Sequence, residues 1–165
     1  AEIERGAARI RLSTWTALYD AIYLGVSEAR RASNGRRALL VLSDGADNNS
    51  RYSAAELRTY IQEADVPIYS IAIRGSSRHV AMLQKLAETT GGLSLEVNDL
   101  NGLAPAVARL SRTLRRQYVL DYVSSQTGRG RDGKYRRVEV HLAPLAAARG
   151  LHLAWRRGYY EPQTF

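Results

Sequence analysis

The sequence predicts an α/β fold: a doubly wound, mostly parallel sheet with helices on both faces. Three observations carry this expectation. Ala38-Leu39-Leu40-Val41-Leu42 is an unbroken apolar run that ends in Ser43-Asp44-Gly45, and such a run reads as a strand buried on both faces, the habit of parallel sheets. Ile68-Tyr69-Ser70-Ile71-Ala72-Ile73 repeats the pattern and ends at Arg74-Gly75. Between and after these runs, helical spacing and strand signals alternate regularly as far as Leu114, which is the order of an α/β sheet.

Taken in chain order, Thr16 to Ile22 opens a helix whose inward positions are Leu18, Ile22, Gly25 and Ala29. The apolar run from Ala38 to Leu42 follows. Ser53-Ala54-Ala55-Glu56 fits a capping box, with each side chain satisfying a free backbone donor. Leu57, Tyr60, Ile61 and Ala64 then recur at helical spacing, giving one apolar face, and Asp65-Val66-Pro67 stops the helix. Strand, helix and strand with short joints make a right-handed parallel crossover. Val80, Leu83, Leu86 and Ala87 mark the next helix, closed by Gly91-Gly92 as its C-terminal cap. Leu93 to Val97 is a short strand. Asn98-Asp99 leads into a last helix with Leu103, Val107, Leu110 and Leu114 on one face.

The chain then changes character. Tyr118 to Val123 is rich in strand formers, and Ser124 to Lys134 is polar and glycine-rich with a turn at Asp132-Gly133. Tyr135 to Leu142 alternates with Val138, Val140 and Leu142 on one face, and Leu151 to Arg157 alternates with Leu151, Leu153 and Trp155. The expected organisation is an α/β domain over residues 1–116 and an antiparallel β extension over 117–165 packed on it. The extension reads equally as an interaction surface or as a cover for the core.

At 165 residues with 45% hydrophobic and 24% charged positions, the chain fits one globular domain with a real core. No apolar run reaches the length that spans a membrane. With no Cys, disulfides, thiolate metal sites and Cys nucleophiles are excluded. The net charge of +8 is concentrated late, where Arg112, Arg115, Arg116, Arg129, Arg131, Lys134, Arg136 and Arg137 face only Asp121 and Asp132. Such a stripe beside Tyr118, Tyr122 and Tyr135 could hold an anionic surface, but no nucleic-acid motif accompanies it, and nucleic-acid binding is not expected.

Enzyme readings have little to stand on. Arg74-Gly75-Ser76-Ser77 lacks the spacing and the Lys of a phosphate loop. Asp44 at a strand end invites Mg²⁺-dependent phosphoryl transfer, but that chemistry wants further carboxylates and a Lys, and the candidates are Asp47 and the distant Lys85. His79, His141 and His152 show no metal-ligand spacing. The chain is expected not to be an enzyme. In open α/β sheets ligands bind beyond the carboxyl ends of the strands, where Asp44 stands beside the flexible Gly45. The plainer alternative is that Asp44-Gly45 is a turn, with the Asp side chain bonding its own backbone.

Several motifs resemble a von Willebrand factor type A domain: Thr16-Ala-Leu-Tyr-Asp-Ala-Ile, Leu42-Ser-Asp44-Gly-Ala-Asp-Asn and Thr90-Gly-Gly. Gln117-Tyr-Val-Leu-Asp-Tyr122, Asp132-Gly-Lys-Tyr-Arg136 and Arg157-Gly-Tyr-Tyr160 narrow the resemblance to a branch described in acidobacteria, often secreted. The resemblance runs from about Ser13 to Pro162. It implies a module that binds a protein partner through a divalent metal at the top of the sheet, in a secreted or envelope-facing setting. By position, Thr16 and Asp44 match two of the family's metal ligands. Oxygen-only donors suit a hard cation such as Mg²⁺, and a metal one ligand short can accept a carboxylate from a partner.

The third element of that site, an Asp-x-Ser-x-Ser motif after the first strand, occurs nowhere in this sequence. Residues 1–11 are too short and too charged to be that strand with the helix and hairpin that follow it. Three expectations remain open: the strand lies upstream of Ala1, another chain supplies it, or the domain is a degenerate scaffold that binds no metal, in which case Thr16 is a helix N-cap.

Overall fold

Ile68–Ile73 is the most deeply buried strand, and the other elements are arranged about it. The computed structural model describes residues 15–33, 35–118, 120, 133–144 and 153–161. Strands β1 (Leu39–Ser43), β2 (Ile68–Ile73) and β3 (Ser94–Val97) form a parallel sheet in that spatial order. In the register, Leu40 and Leu42 stand beside Tyr69 and Ile71, and Ile71 stands beside Leu95. The helices are α1 (Leu18–Arg31), α2 (Ala54–Ala64), α3 (Ser77–Thr90) and α4 (Leu103–Arg115), the last preceded by a 3₁₀ turn over Leu100–Gly102. The expected α/β arrangement is therefore present.

Period-two alternation divides β2 between two cores. Ile68 and Ala72 pack with Val41 under α1, α2 and α3, against Leu18, Ile22 and Val26, Leu57 and Ile61, and Leu83 and Leu86. Tyr69 and Ile71 face the other way and pack with Val97 under Ala106 and Leu110 of α4. The expected inward faces hold with two adjustments. Val26 is fully buried in α1, while Gly25 lies close against Leu39. Val107 is exposed and Ala106 takes its place, because the 3.6-residue period runs 103, 106, 110, 114 along α4. Ser53 and Glu56 close the capping box on α2. Tyr23 of α1 is sandwiched between Tyr52 and Tyr60, with ring centroids 4.2 and 3.8 Å away, which fastens α1 to α2.

One expectation about β1 is corrected. Only Val41 is buried, whereas Leu40 and Leu42 are 44% and 47% exposed. The reason is coverage: both leucines share the face of Tyr69 and Ile71, and α4 covers that face only over β2 and β3. Among the described residues β1 also lies at the edge of the sheet. Leu39 donates its N–H to Pro67 O on the β2 side, so by alternation the backbone groups of Leu40 and Leu42 point away from β2, with no strand among the described residues to receive them.

The C-terminal segment is less sheet-like than its sequence suggests. Tyr118 and Leu120 are 93% and 79% exposed and lie in no strand, while residues 119 and 121–132 lie outside the described residues. The antiparallel pair is β4 (Tyr135–Arg137) with β5 (Gly158–Tyr160), so β5 lies just C-terminal to the alternating run ending at Arg157. Beyond β4, Val138, Val140 and Leu142 are half-buried and alternate with exposed neighbours, and the Trp155 indole donates to Val138 O at 3.0 Å. The segment docks at the amino end of the parallel strands. There the Arg156 guanidinium reaches Asp65 at 2.7 Å and Gln62 O at 2.8 Å, at the C-terminus of α2.

Gly92 marks the tightest approach of the loop between α3 and β3 to β2. A Cβ there would lie 1.9 Å from Ile68 O, and the Ile68 N–H is itself held by the buried Thr90 hydroxyl at 2.9 Å. Gly92→Ala is expected to cost about 3 kcal/mol, at the upper end of overpacking effects. Gly35→Ala, where nothing lies within 4 Å of the new methyl, is expected to be near neutral. Urea unfolding midpoints of the two variants check this, and equal midpoints would contradict it.

Candidate functional site at the carboxyl end of the sheet

The helix α1 begins without a cap of its own. Its N-cap is Ala17, whose side chain offers no acceptor. An uncapped helix start leaves backbone donors that need partners, and the loop after β1 supplies them. Tyr19 N–H donates to Asp47 Oδ2 and to Ser50 Oγ, both at 3.0 Å, and Asp20 N–H donates to Ser50 Oγ at 3.2 Å. The Ser50 hydroxyl in turn donates to Asp47 Oδ2 in a short bond. The clasp is reciprocal: Asp20 Oδ1 accepts from the N–H groups of Arg51 and Tyr52 at 2.9 and 3.1 Å.

Thr16 is fixed by the same loop through its backbone. Its N–H donates to Asn48 Oδ1 at 2.7 Å, and its carbonyl accepts from the N–H groups of Asn48 and Asn49 at 2.9 and 3.1 Å. The alternative expectation that Thr16 is the N-cap of the helix is therefore corrected. The chain enters the helix one residue later, and the capping acceptors come from Asp47 and Ser50.

Asp44 leaves the end of β1 exposed, with Oδ1 accepting from Ala46 N–H at 3.0 Å, and Ser43 Oγ accepts from Gly45 N–H at 3.0 Å. So the turn reading of Asp44-Gly45 describes its local geometry. Gly45 has φ +81° and its Cα faces His79, where a Cβ would come within 2.8 Å of the His79 Cβ. Gly75 presses on the Asp44 carbonyl just as closely, with a Cβ position 2.6 Å from Asp44 O. The start of α3 and the loop after β2 thus press on Asp44-Gly45, while among the described residues the second carboxylate oxygen of Asp44 and the Thr16 hydroxyl are engaged by no hydrogen bond.

At the carboxyl end of the sheet Asp44 opens the loop after β1, bonded to Ala46 N–H, and Thr16 joins that loop in one hydrogen-bonded assembly. Asp47, Asn48, Ser50 and Asp20 complete it, and the sequence reading missed their part. Asp47-Asn48-Asn49-Ser50 has the Asx-turn composition that could have pointed to them. Thr16 and Asp44 offer the oxygen chemistry a hard cation takes. Their number is short, because the described residues hold no group of three His, Cys, Asp or Glu side chains placed for a metal. Lys85, the cation a phosphoryl-transfer site would want, lines a groove between α2 and α3 whose walls do not include Asp44.

Burial raises the cost of ionising Asp47, but hydrogen bonds from the Ser50 hydroxyl and the N–H groups of Tyr19, Ser50 and Leu18 outweigh it and hold the carboxyl below its ordinary range.

Compared with known proteins, the chain matches no protein-family model and no curated protein.

A carboxylate whose pKa is depressed by folding contributes stability above its unfolded pKa, about 3.9 for Asp. That contribution is lost as pH falls through the lower folded value. Asp47→Asn is therefore expected to lower stability at neutral pH and to flatten the acid limb of the stability curve. Denaturant midpoints measured from pH 7 down to acid check this. An acid limb as steep as in the parent would contradict it.

Proposed function

We propose that this chain is a von Willebrand type A-like module that acts by binding a protein partner rather than by catalysis. Thr16 and Asp44 supply part of a divalent-cation site at the carboxyl end of the sheet. What supports the reading most is the pair of oxygen groups that no hydrogen bond engages among the described residues, on backbones held by their neighbours. Bound Mg²⁺ would supply a coordination position for a carboxylate of the partner. The remaining ligands come from a segment that also adds a strand beside β1, a position favoured by the unpaired edge and the exposed Leu40 and Leu42. The resemblance places the module in a secreted or envelope-facing protein.

The shortage of acidic ligands among the described residues favours a second reading, a scaffold of the same architecture that binds its partner without metal. One experiment separates the two. In the full-length protein, Asp44→Ala is expected to abolish divalent-ion-dependent partner binding with the fold intact, since it removes charge and ligand but no core contact. Thr16→Ala is expected to weaken that binding. Surface plasmon resonance with Mg²⁺ and with EDTA reads both. Binding that survives EDTA and both substitutions contradicts the metal reading and leaves the scaffold.

A further inference from the structure

A second surface lies between α2 and α3, with Tyr19 of α1 also in its wall. It is a cavity of about 260 Å³, slightly under the size that takes a whole small molecule and suited to a few side chains. Leu57, Met82 and Leu86 form its floor, while Arg58, Arg78 and Lys85 stand on its rim. The three cations are exposed and, among the described residues, have no acidic partner.

The placement of Arg78 adds to this. It lies in the first turn of α3, which contains no acidic residue, and a helix N-terminus carries partial positive charge that disfavours a cation. The field over that end of the groove is therefore positive twice over, and an anionic group would relieve it. Arg78, Met82 and Lys85 follow one another at helical spacing along α3, so the two rim cations are about 10 Å apart with the apolar floor between them. An amphipathic helix laid in such a groove reads as apolar anchors flanked by charge.

We propose that the groove between α2 and α3 is a docking site for an acidic amphipathic helix of a partner protein. Two carboxylates about seven residues apart meet Arg78 and Lys85, and large apolar side chains between them enter the cavity over Leu57, Met82 and Leu86. Arg58 meets the acidic flank from the α2 side. The contact uses neither Thr16 nor Asp44 and needs no metal, so it stands or falls apart from the cation site.

The test uses the full-length protein in EDTA and a fluorescein-labelled helical peptide with glutamates seven positions apart and leucines between them. Its counterpart carries lysines in place of the glutamates. In fluorescence anisotropy the glutamate peptide is expected to bind saturably. The doubly substituted Arg78→Glu, Lys85→Glu protein should lose at least about tenfold in affinity, or about 1.4 kcal/mol, and should prefer the lysine peptide. Both positions are exposed, so the variant should fold, and its unfolding midpoint is measured alongside. No saturable binding at millimolar peptide, or equal affinity for parent and variant, overturns the proposal. Anionic vesicles that bind the parent and displace the peptide, with the glutamate and lysine peptides bound alike, overturn it in favour of a lipid surface.

Discussion

A parallel strand is stable when both of its faces and both of its edges are served, because neither its apolar side chains nor its backbone groups can be left to water without cost. β2 meets that condition: all but its last residue are buried, it pairs with β1 and β3, and helices lie over both faces. β1 meets half of it. Val41 is buried under α1 to α3, while Leu40 and Leu42 lie bare on the other face and their backbone groups point outward. An apolar, uncovered edge is a template for further pairing. On the metal reading proposed above, the same incompleteness reaches the carboxyl end of the sheet, where Thr16 and Asp44 would offer two oxygen donors and further ligands would come from elsewhere.

The loop after β1 links these features. It satisfies the uncapped start of α1 through Asp47 and Ser50, receives Asp20 in return, and holds the Thr16 backbone through Asn48 and Asn49. Asp47 is spent on this clasp, whereas one carboxylate oxygen of Asp44 accepts no hydrogen bond among the described residues. The position of the helix start, the conformation of the loop and the presentation of Asp44 are therefore one mechanical unit. The groove between α2 and α3 borders it at Tyr19 and is rimmed by cations rather than acceptors, so the two candidate surfaces differ in chemistry.

Much of this was legible in the chain. The first helix with Leu18 and Ile22 facing inward, the capping box at Ser53 and Glu56, the stop at Asp65 and the glycine cap at Gly91 all follow from local chemistry that the structure bears out. Local rules failed where a neighbour decides. The apolar run of β1 reads as doubly buried, but coverage depends on where α4 lies. Val107 fits a helical face, yet a small change in phase puts Ala106 inside. The clasp left only the Asx-turn composition of Asp47 to Ser50 as a trace, because its partners lie about thirty positions apart and a cap supplied from elsewhere in the chain leaves no signature at the helix start. At the C-terminus, alternation suggested a longer sheet than the three-residue β4 and β5, since alternation marks a half-buried surface without saying which strand pairs with it.

The most direct measurement of the central claim is amide hydrogen exchange at Leu40 and Leu42 in the native full-length protein. These amides point away from β2, and if a further strand pairs with the β1 edge they are protected to the same order as Ile71 at the centre of the sheet. Protection of that size, together with slow exchange at Val41, is the predicted result. Exchange of Leu40 and Leu42 at the rate of an unfolded chain, with Ile71 still protected, would show that β1 is a true edge and would contradict the account.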